Sequence, residues 1–164
     1  MISPGSAAPG FDLPALGADG ERLGLDELTR SAPVLLAFFK TSCPVCTLSF
    51  PLWGQLDERY GHAVNVIGVS QDPLAMARPW LDGLGFDAPV VDDSDGYGVS
   101  RAYDVETVPT LVLVDKAGDV LAASQGWDRE RANAWDADLA ELAGVATPGP
   151  LSTVGDGRPP FRPG

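Results

Sequence analysis

Two nearly unbroken apolar runs do most to limit what this chain can fold into. Pro33-Val34-Leu35-Leu36-Ala37-Phe38-Phe39 contains no polar side chain, and Ala63 to Val69 contains only Asn65. A strand that is apolar at every position buries both faces, so it belongs inside a sheet covered on each side. Between the two runs the period changes. Val45, Leu48, Leu52, Leu56 and Tyr60 recur every three or four residues, which predicts a helix over Pro44 to Tyr60 with Gly61 as its stop. Strand, helix and strand in this order predict a layered α/β domain.

The flanking segments extend the pattern. Phe11 to Leu16 alternates apolar and polar residues, Gly17-Ala18-Asp19-Gly20 turns, and Arg22 to Leu25 returns as the second strand of an N-terminal hairpin. Asp26 to Arg30 reads as one helical turn. Asp72-Pro73 has the form of an N-cap followed by proline at the first helical position, and a helix from Pro73 to Leu84 should kink or split at Pro79. Pro89 to Val91 is a short strand and Gly98 to Tyr103 a short helix. Thr110 to Val114 is a strand that Lys116 to Asp119 turns into Val120 to Ser124, which adds an antiparallel pair. Asp128 caps a last helix with Ala132, Trp135, Leu139 and Leu142 on one face and Gly144 at its end. Thr147 to Gly164 holds 5 prolines and 4 glycines in 18 residues, so it is expected to be disordered or laid extended over the surface. The expected organisation is one domain over residues 1–146 and a Pro/Gly-rich tail over 147–164.

Charge narrows the partners. The chain has 164 residues, with 11 Lys and Arg against 23 Asp and Glu, for a net charge of −12. Phosphate backbones and anionic lipid repel such a surface, which argues against nucleic-acid and membrane-surface binding. The longest apolar run, Ala32 to Phe39, is 8 residues, against about 20 for a membrane span. Residues 1–10 show no basic n-region and no apolar h-region, so a chain read from Met1 is expected in the cytoplasm.

The chain has 2 cysteines, Cys43 and Cys46, which is no disulfide framework of the secreted kind. Cys43-Pro44-Val45-Cys46 falls where the first buried strand hands over to the helix. The first helical turn has free N–H groups and the positive end of the dipole, so a thiolate placed there is stabilised. Three residues apart, both sulfurs face one side of the helix and can close a short disulfide ring. The pair therefore reads as a reversible dithiol/disulfide couple, with Cys43 the exposed nucleophile and Cys46 the resolving thiol. Structural zinc needs four ligands, and the only histidine, His62, follows the helix end at a position that suits solvent. Two inert buried cysteines are the other reading, against which the strand-to-helix junction argues. No metal and no cofactor is expected.

At these residues the sequence resembles a thioredoxin-fold protein of the TlpA/ResA-like or broader redoxin (AhpC/TSA-related) type. Leu35 to Cys46 is similar to the strand running into the C-x-x-C, and Pro51 resembles the kinking proline of the active-site helix. Val108-Pro109-Thr110 resembles the cis-proline loop ahead of a strand, and Ala8-Pro9-Gly10-Phe11-Asp12-Leu13-Pro14 resembles the opening hairpin of the redoxins. The resemblance covers about residues 7–143. It implies a three-layer fold: a mixed central sheet flanked by helices, with an N-terminal β-hairpin and an inserted helix and strand in the 66 positions from Cys43 to Pro109. It also implies that the Val108–Pro109 bond is cis and faces the cysteines, and that the Val108 backbone pairs with a substrate chain as an added strand. Val108, Pro109, Ser42 and Pro44 are thus the candidate substrate-binding residues beside Cys43 and Cys46.

The sequence departs from the family at three points, one being that Pro44-Val45 lacks the glutamate found between the cysteines in some ResA-like proteins. Ser42 stands where tryptophan is usual, which puts partner choice in doubt, and Ala37 stands where thioredoxins bury a proton-accepting acid. Glu106 is a candidate acceptor, although its loop position suits a solvated acid, and Lys40 could favour the Cys43 thiolate or lie in solvent. The expected function is a thiol–disulfide oxidoreductase that reduces protein or small-molecule disulfides and is recharged by a thiol or reductase donor. A peroxiredoxin-like thiol peroxidase is the alternative. Its P-x-x-x-T-x-x-C pattern fits neither cysteine: counting back from Cys43 meets Lys40 and Leu36, and from Cys46 meets Cys43 and Phe39. A copper-handling or partner-binding redoxin comes last, since such copper chaperones space their cysteines wider and add a histidine.

Overall fold

A computed structural model describes residues 1–16 and 22–164. The hairpin strands β1 (Asp12–Leu16) and β2 (Arg22–Gly24) lead into α1 (Leu25–Ser31). Then come β3 (Val34–Phe39), α2 (Pro44–Tyr60), β4 (Asn65–Ser70), α3 (Leu74–Gly83), β5 (Val90–Asp92) and α4 (Gly98–Ala102). The chain continues through β6 (Thr110–Val114), β7 (Val120–Gln125), β8 (Trp127–Asp128), α5 (Arg129–Ala143) and β9 (Phe161–Arg162). The expected turn at Gly17 to Gly20 lies outside the described residues.

Among the described residues, seven strands form one sheet in the order β2-β1-β5-β4-β3-β6-β7. β3, β4 and β5 run parallel, while β6 and β7 on one side and β1 and β2 on the other are antiparallel. β3 lies between β4 and β6, and all six of its residues are buried. Strand alternation sends Leu35, Ala37 and Phe39 to one core and Val34, Leu36 and Phe38 to the other. The first core is closed by Phe50, Trp53 and Leu56 of α2, Leu81 of α3, and Trp135 and Leu139 of α5. The second is closed by Leu25 and Leu28 of α1, Val99 of α4 and Tyr103. Each such side chain contributes about 1.5–3 kcal/mol on burial, which is why the apolar runs dictate the layers.

Three local expectations change. Pro79 does not split its helix: α3 runs continuously from Leu74 to Gly83 with the proline inside. Leu142 is 40% exposed, because α5 turns Ala132, Trp135 and Leu139 inward and leaves its last turn at the rim. Asp72 does not cap α3: Pro73 stands at the N-cap, and the Leu74 amide donates to Asp92 Oδ2 at 3.3 Å. The Asp72 carboxylate is engaged at the cysteine loop instead.

Residues 147–164 lie against the domain. Leu151 joins the first core, Ser152 is buried, and β9 pairs antiparallel with β8. Nearby, α2 and α5 are tied by Asp136, a buried carboxylate that accepts from Arg59 Nη1 at 2.8 Å and Tyr60 Oη at 2.7 Å. Removing one member of a buried charged network leaves its partners unsatisfied. We expect Asp136→Ala to cost about 3 kcal/mol in urea unfolding, whereas a loss under about 0.5 kcal/mol would mean the pair is not coupled to folding.

Candidate active site

β3 ends at Phe39, and its neighbour β4 ends at Ser70 directly opposite. Four residues carry the chain from β3 into α2, and Cys43 is the residue that caps the helix, with extended backbone and Pro44 at the first helical position. The Cys43 amide donates to Lys40 O at 3.1 Å, which closes the loop into a turn. Cys43 Sγ accepts from the Cys46 amide at 3.2 Å and, as a thiol, donates to Val108 O at 3.3 Å. Cys46 is completely buried, one turn into the helix, while Cys43 is partly exposed. The Val108–Pro109 bond is cis. Its loop is braced by Thr110 Oγ1 donating to Thr107 O at 2.7 Å and by the Gly126 amide donating to Pro109 O at 2.7 Å.

The two thiols are driven apart in acidity. Cys43 is pulled from 9.0 down to about 6, chiefly because the Cys46 thiol donates to its thiolate. Burial opposes this, and the amides of Cys46 and Val45 add to it. Cys46 is pushed far up, first by burial, then because its proton is held in the bond to Cys43. Thiolate at the surface and thiol below it is the division of labour that disulfide exchange needs.

Asp72 also acts on Cys46. It is a mostly buried acid just past the end of β4, and its charge raises the Cys46 thiol further. One carboxylate oxygen, Oδ2, accepts from both the amide and the hydroxyl of Thr41 at 2.7 Å, pinning the loop ahead of Cys43. Sequence spacing alone did not show this, because Asp72 and Cys46 sit on different elements. The usable signal was the parallel register: residues just beyond the ends of β3 and β4 must be neighbours.

The other candidates fall as follows. Ser42 and Pro44 are exposed beside Cys43, Val108 is half-buried against its sulfur, and Pro109 is buried behind it. Glu106 is exposed, as is His62. Lys40 holds its ammonium over the Tyr97 ring, 5.8 Å from the centroid, and meets the site through its main chain. Trp127 is buried in the core, and Trp80 stacks on Phe39 at 5.3 Å. Among the described residues no cluster of three His, Cys, Asp or Glu side chains could hold a metal ion, and no helix is long and apolar enough to cross a membrane.

Residues 4–123 match the AhpC/TSA family. The chain is 31% identical over 128 residues to the thiol-disulfide oxidoreductase ResA of Bacillus subtilis strain 168, covering 76% of this chain and 69% of that protein. It is 31% identical over 113 residues to the ResA of Halalkalibacterium halodurans, covering 66% of this chain; the match spans 61% of that relative's length. A crystal structure from Chlorobium tepidum, of a protein proposed to be a thiol:disulfide interchange protein DsbE, superposes with a TM-score of 0.77 at 26% identity. That match covers 88% of this chain and all of the other. The chain therefore belongs to the AhpC/TSA family and is a thioredoxin-like redoxin.

The acidities generate a sharp pH test. We expect iodoacetamide to label Cys43 alone, with a rate that rises through a half-maximum near pH 6, the thiolate appearing above that pH and vanishing below it. A half-maximum near pH 9, or comparable labelling of Cys46, would contradict the geometry.

Proposed function

We propose that this AhpC/TSA-family protein is a thiol–disulfide oxidoreductase that reduces disulfides through Cys43 and Cys46. The observation that carries the reading is the Cys43 sulfur at the N-terminus of α2, accepting from the Cys46 amide with the Cys46 thiol buried behind it. The Cys43 thiolate attacks one sulfur of the substrate, a mixed disulfide forms and the first substrate thiolate leaves. Cys46 gives up its proton and attacks Cys43 Sγ, which forms the Cys43–Cys46 disulfide and releases the second substrate thiolate. Two electrons have then passed to the substrate, and an external thiol or reductase restores the dithiol. The reductive direction suits a compartment that keeps thiols reduced, such as the cytoplasm.

Asp72 supplies a route for the second proton. It is the buried carboxylate whose charge is felt at Cys46, and only one of its oxygens is occupied by Thr41. The Val108 backbone beside Cys43, just ahead of β6, suits a substrate chain added as a strand, with Ser42 and Pro44 forming the exposed lip. The peroxidase alternative has less support, since no threonine stands three residues before either cysteine.

The test follows the covalent intermediate. Cys43→Ser should abolish exchange with a model disulfide. Cys46→Ser should accumulate a mixed disulfide that collapses on adding dithiothreitol. Asp72→Asn, which still accepts from Thr41, should lengthen the life of the mixed disulfide about tenfold or more without changing its rate of formation. Full activity in Cys43→Ser would end the reading, and an unchanged lifetime in Asp72→Asn would remove that residue from the proton path.

A further inference from the structure

The segment after α5 is fixed to the domain by a chain of specific contacts. Leu151 is buried in the first core. The backbone of Ser152 is clamped by Asn133, which accepts from Ser152 N and donates to Ser152 O, both at 2.9 Å. Ser152 Oγ donates to Asp156 Oδ2 at 2.6 Å, and this bond is the main reason that Asp156 is held down at about 2. Arg158 Nε then reaches α2 and donates to Leu48 O at 3.0 Å. Trp127 Nε1 donates to Pro159 O at 2.7 Å, and the Arg129 amide donates to Pro160 O at 2.9 Å.

Beyond Pro160 the character changes. Residues 161–164 are all exposed, and their regular pairing is the two-residue match of Phe161 with Asp128 and Arg162 with Trp127. A two-stranded pairing of this size is marginal by itself. Yet it brings Gly164 flat onto the cysteine site. A Cβ placed on Gly164 would lie 2.7 Å from Val108 O and 2.5 Å from Thr107 Oγ1. Val108 O is the same carbonyl that Cys43 Sγ contacts at 3.3 Å. The segment and the nucleophile therefore flank one backbone group, and only a residue without a side chain fits that closely. The matched family region ends at residue 123, well before this segment.

We propose that residues 161–164 are a strap over the Thr107–Val108 backbone, which keeps peptide and protein disulfides off that edge until it lifts and leaves Cys43 open to small disulfides. The anchors at Leu151, Ser152 and Arg158 hold the strap in place, and the weak pairing with β8 lets its end release. This selectivity rests on the reading of Cys43 as the nucleophile. The apparent rate for a substrate that needs the strap open is the intrinsic rate times the open fraction.

The test compares pre-reduced proteins in single turnover with 5,5′-dithiobis(2-nitrobenzoate) and with insulin. Gly164→Val puts a side chain where none fits, and Phe161→Gly removes the strap's largest group and loosens its backbone. If the strap is open in about one molecule in ten, each variant should raise the insulin rate up to about tenfold and change the small-disulfide rate less than about twofold. An unchanged or lower insulin rate overturns the strap, and an equal rise for both substrates overturns the selectivity. If the wild-type protein and the variants alike react with neither disulfide, the oxidoreductase reading itself fails.

Discussion

Complete burial of β3 is the constraint on which the rest of the molecule depends. Its six residues face two cores in alternation, so the strand cannot lie at an edge or on a surface. β4 must run parallel on one side and β6 antiparallel on the other. The chain leaving Phe39 is thereby delivered to the end of the sheet, where α2 begins and where the loops after β4 and before β6 converge. Cys43, Asp72 and Val108 come from these three places. None needs a dedicated scaffold, because the register of three strands already brings them together.

The chemistry then follows from one turn of helix. Cys43 at the cap meets free amides and the Cys46 thiol, while Cys46 is sealed by core side chains. Burial raises both thiols, but at Cys43 the Cys46 thiol and the helix amides outweigh it, whereas at Cys46 burial prevails, which is the order a sequential exchange requires. A thiolate that attacks must be reachable, and a thiol that resolves must wait until the mixed disulfide has formed. Asp72 belongs to this arrangement twice, since it pins Thr41 ahead of Cys43 and acts electrostatically on Cys46.

Much of this was legible in the residues. The apolar runs marked β3 and β4, the three-to-four spacing marked α2, and Cys-Pro-Val-Cys marked the junction. Asp128 and Gly144 bounded α5, with Asp128 accepting from the Arg131 amide and Gly144 in the left-handed region. What escaped depended on distance in sequence. Asp72 followed by proline carries the local signature of a cap, and only the pairing of β3 with β4 reveals that its partner is Thr41 instead. Pro79 looked like a break, but a helix packed through Ala77 and Leu81 tolerates the missing hydrogen bond. The tail's composition argued against regular structure, yet its fixed position comes from Leu151, Ser152 and Arg158 finding partners on α2 and α5, which no local pattern encodes.

The central claim is that Cys43 and Cys46 form one two-electron couple, poised by the Cys43 thiolate. The direct measurement is a glutathione redox titration, quenched by alkylation and read by intact mass. The account predicts a single transition from doubly alkylated to unalkylated chain, with a midpoint on the reducing side of about −200 mV, in the range of dithiol reductants. Singly alkylated chain across the transition, or no transition at all, would contradict the couple, and a midpoint of about −120 mV would mark an oxidant in place of a reductant.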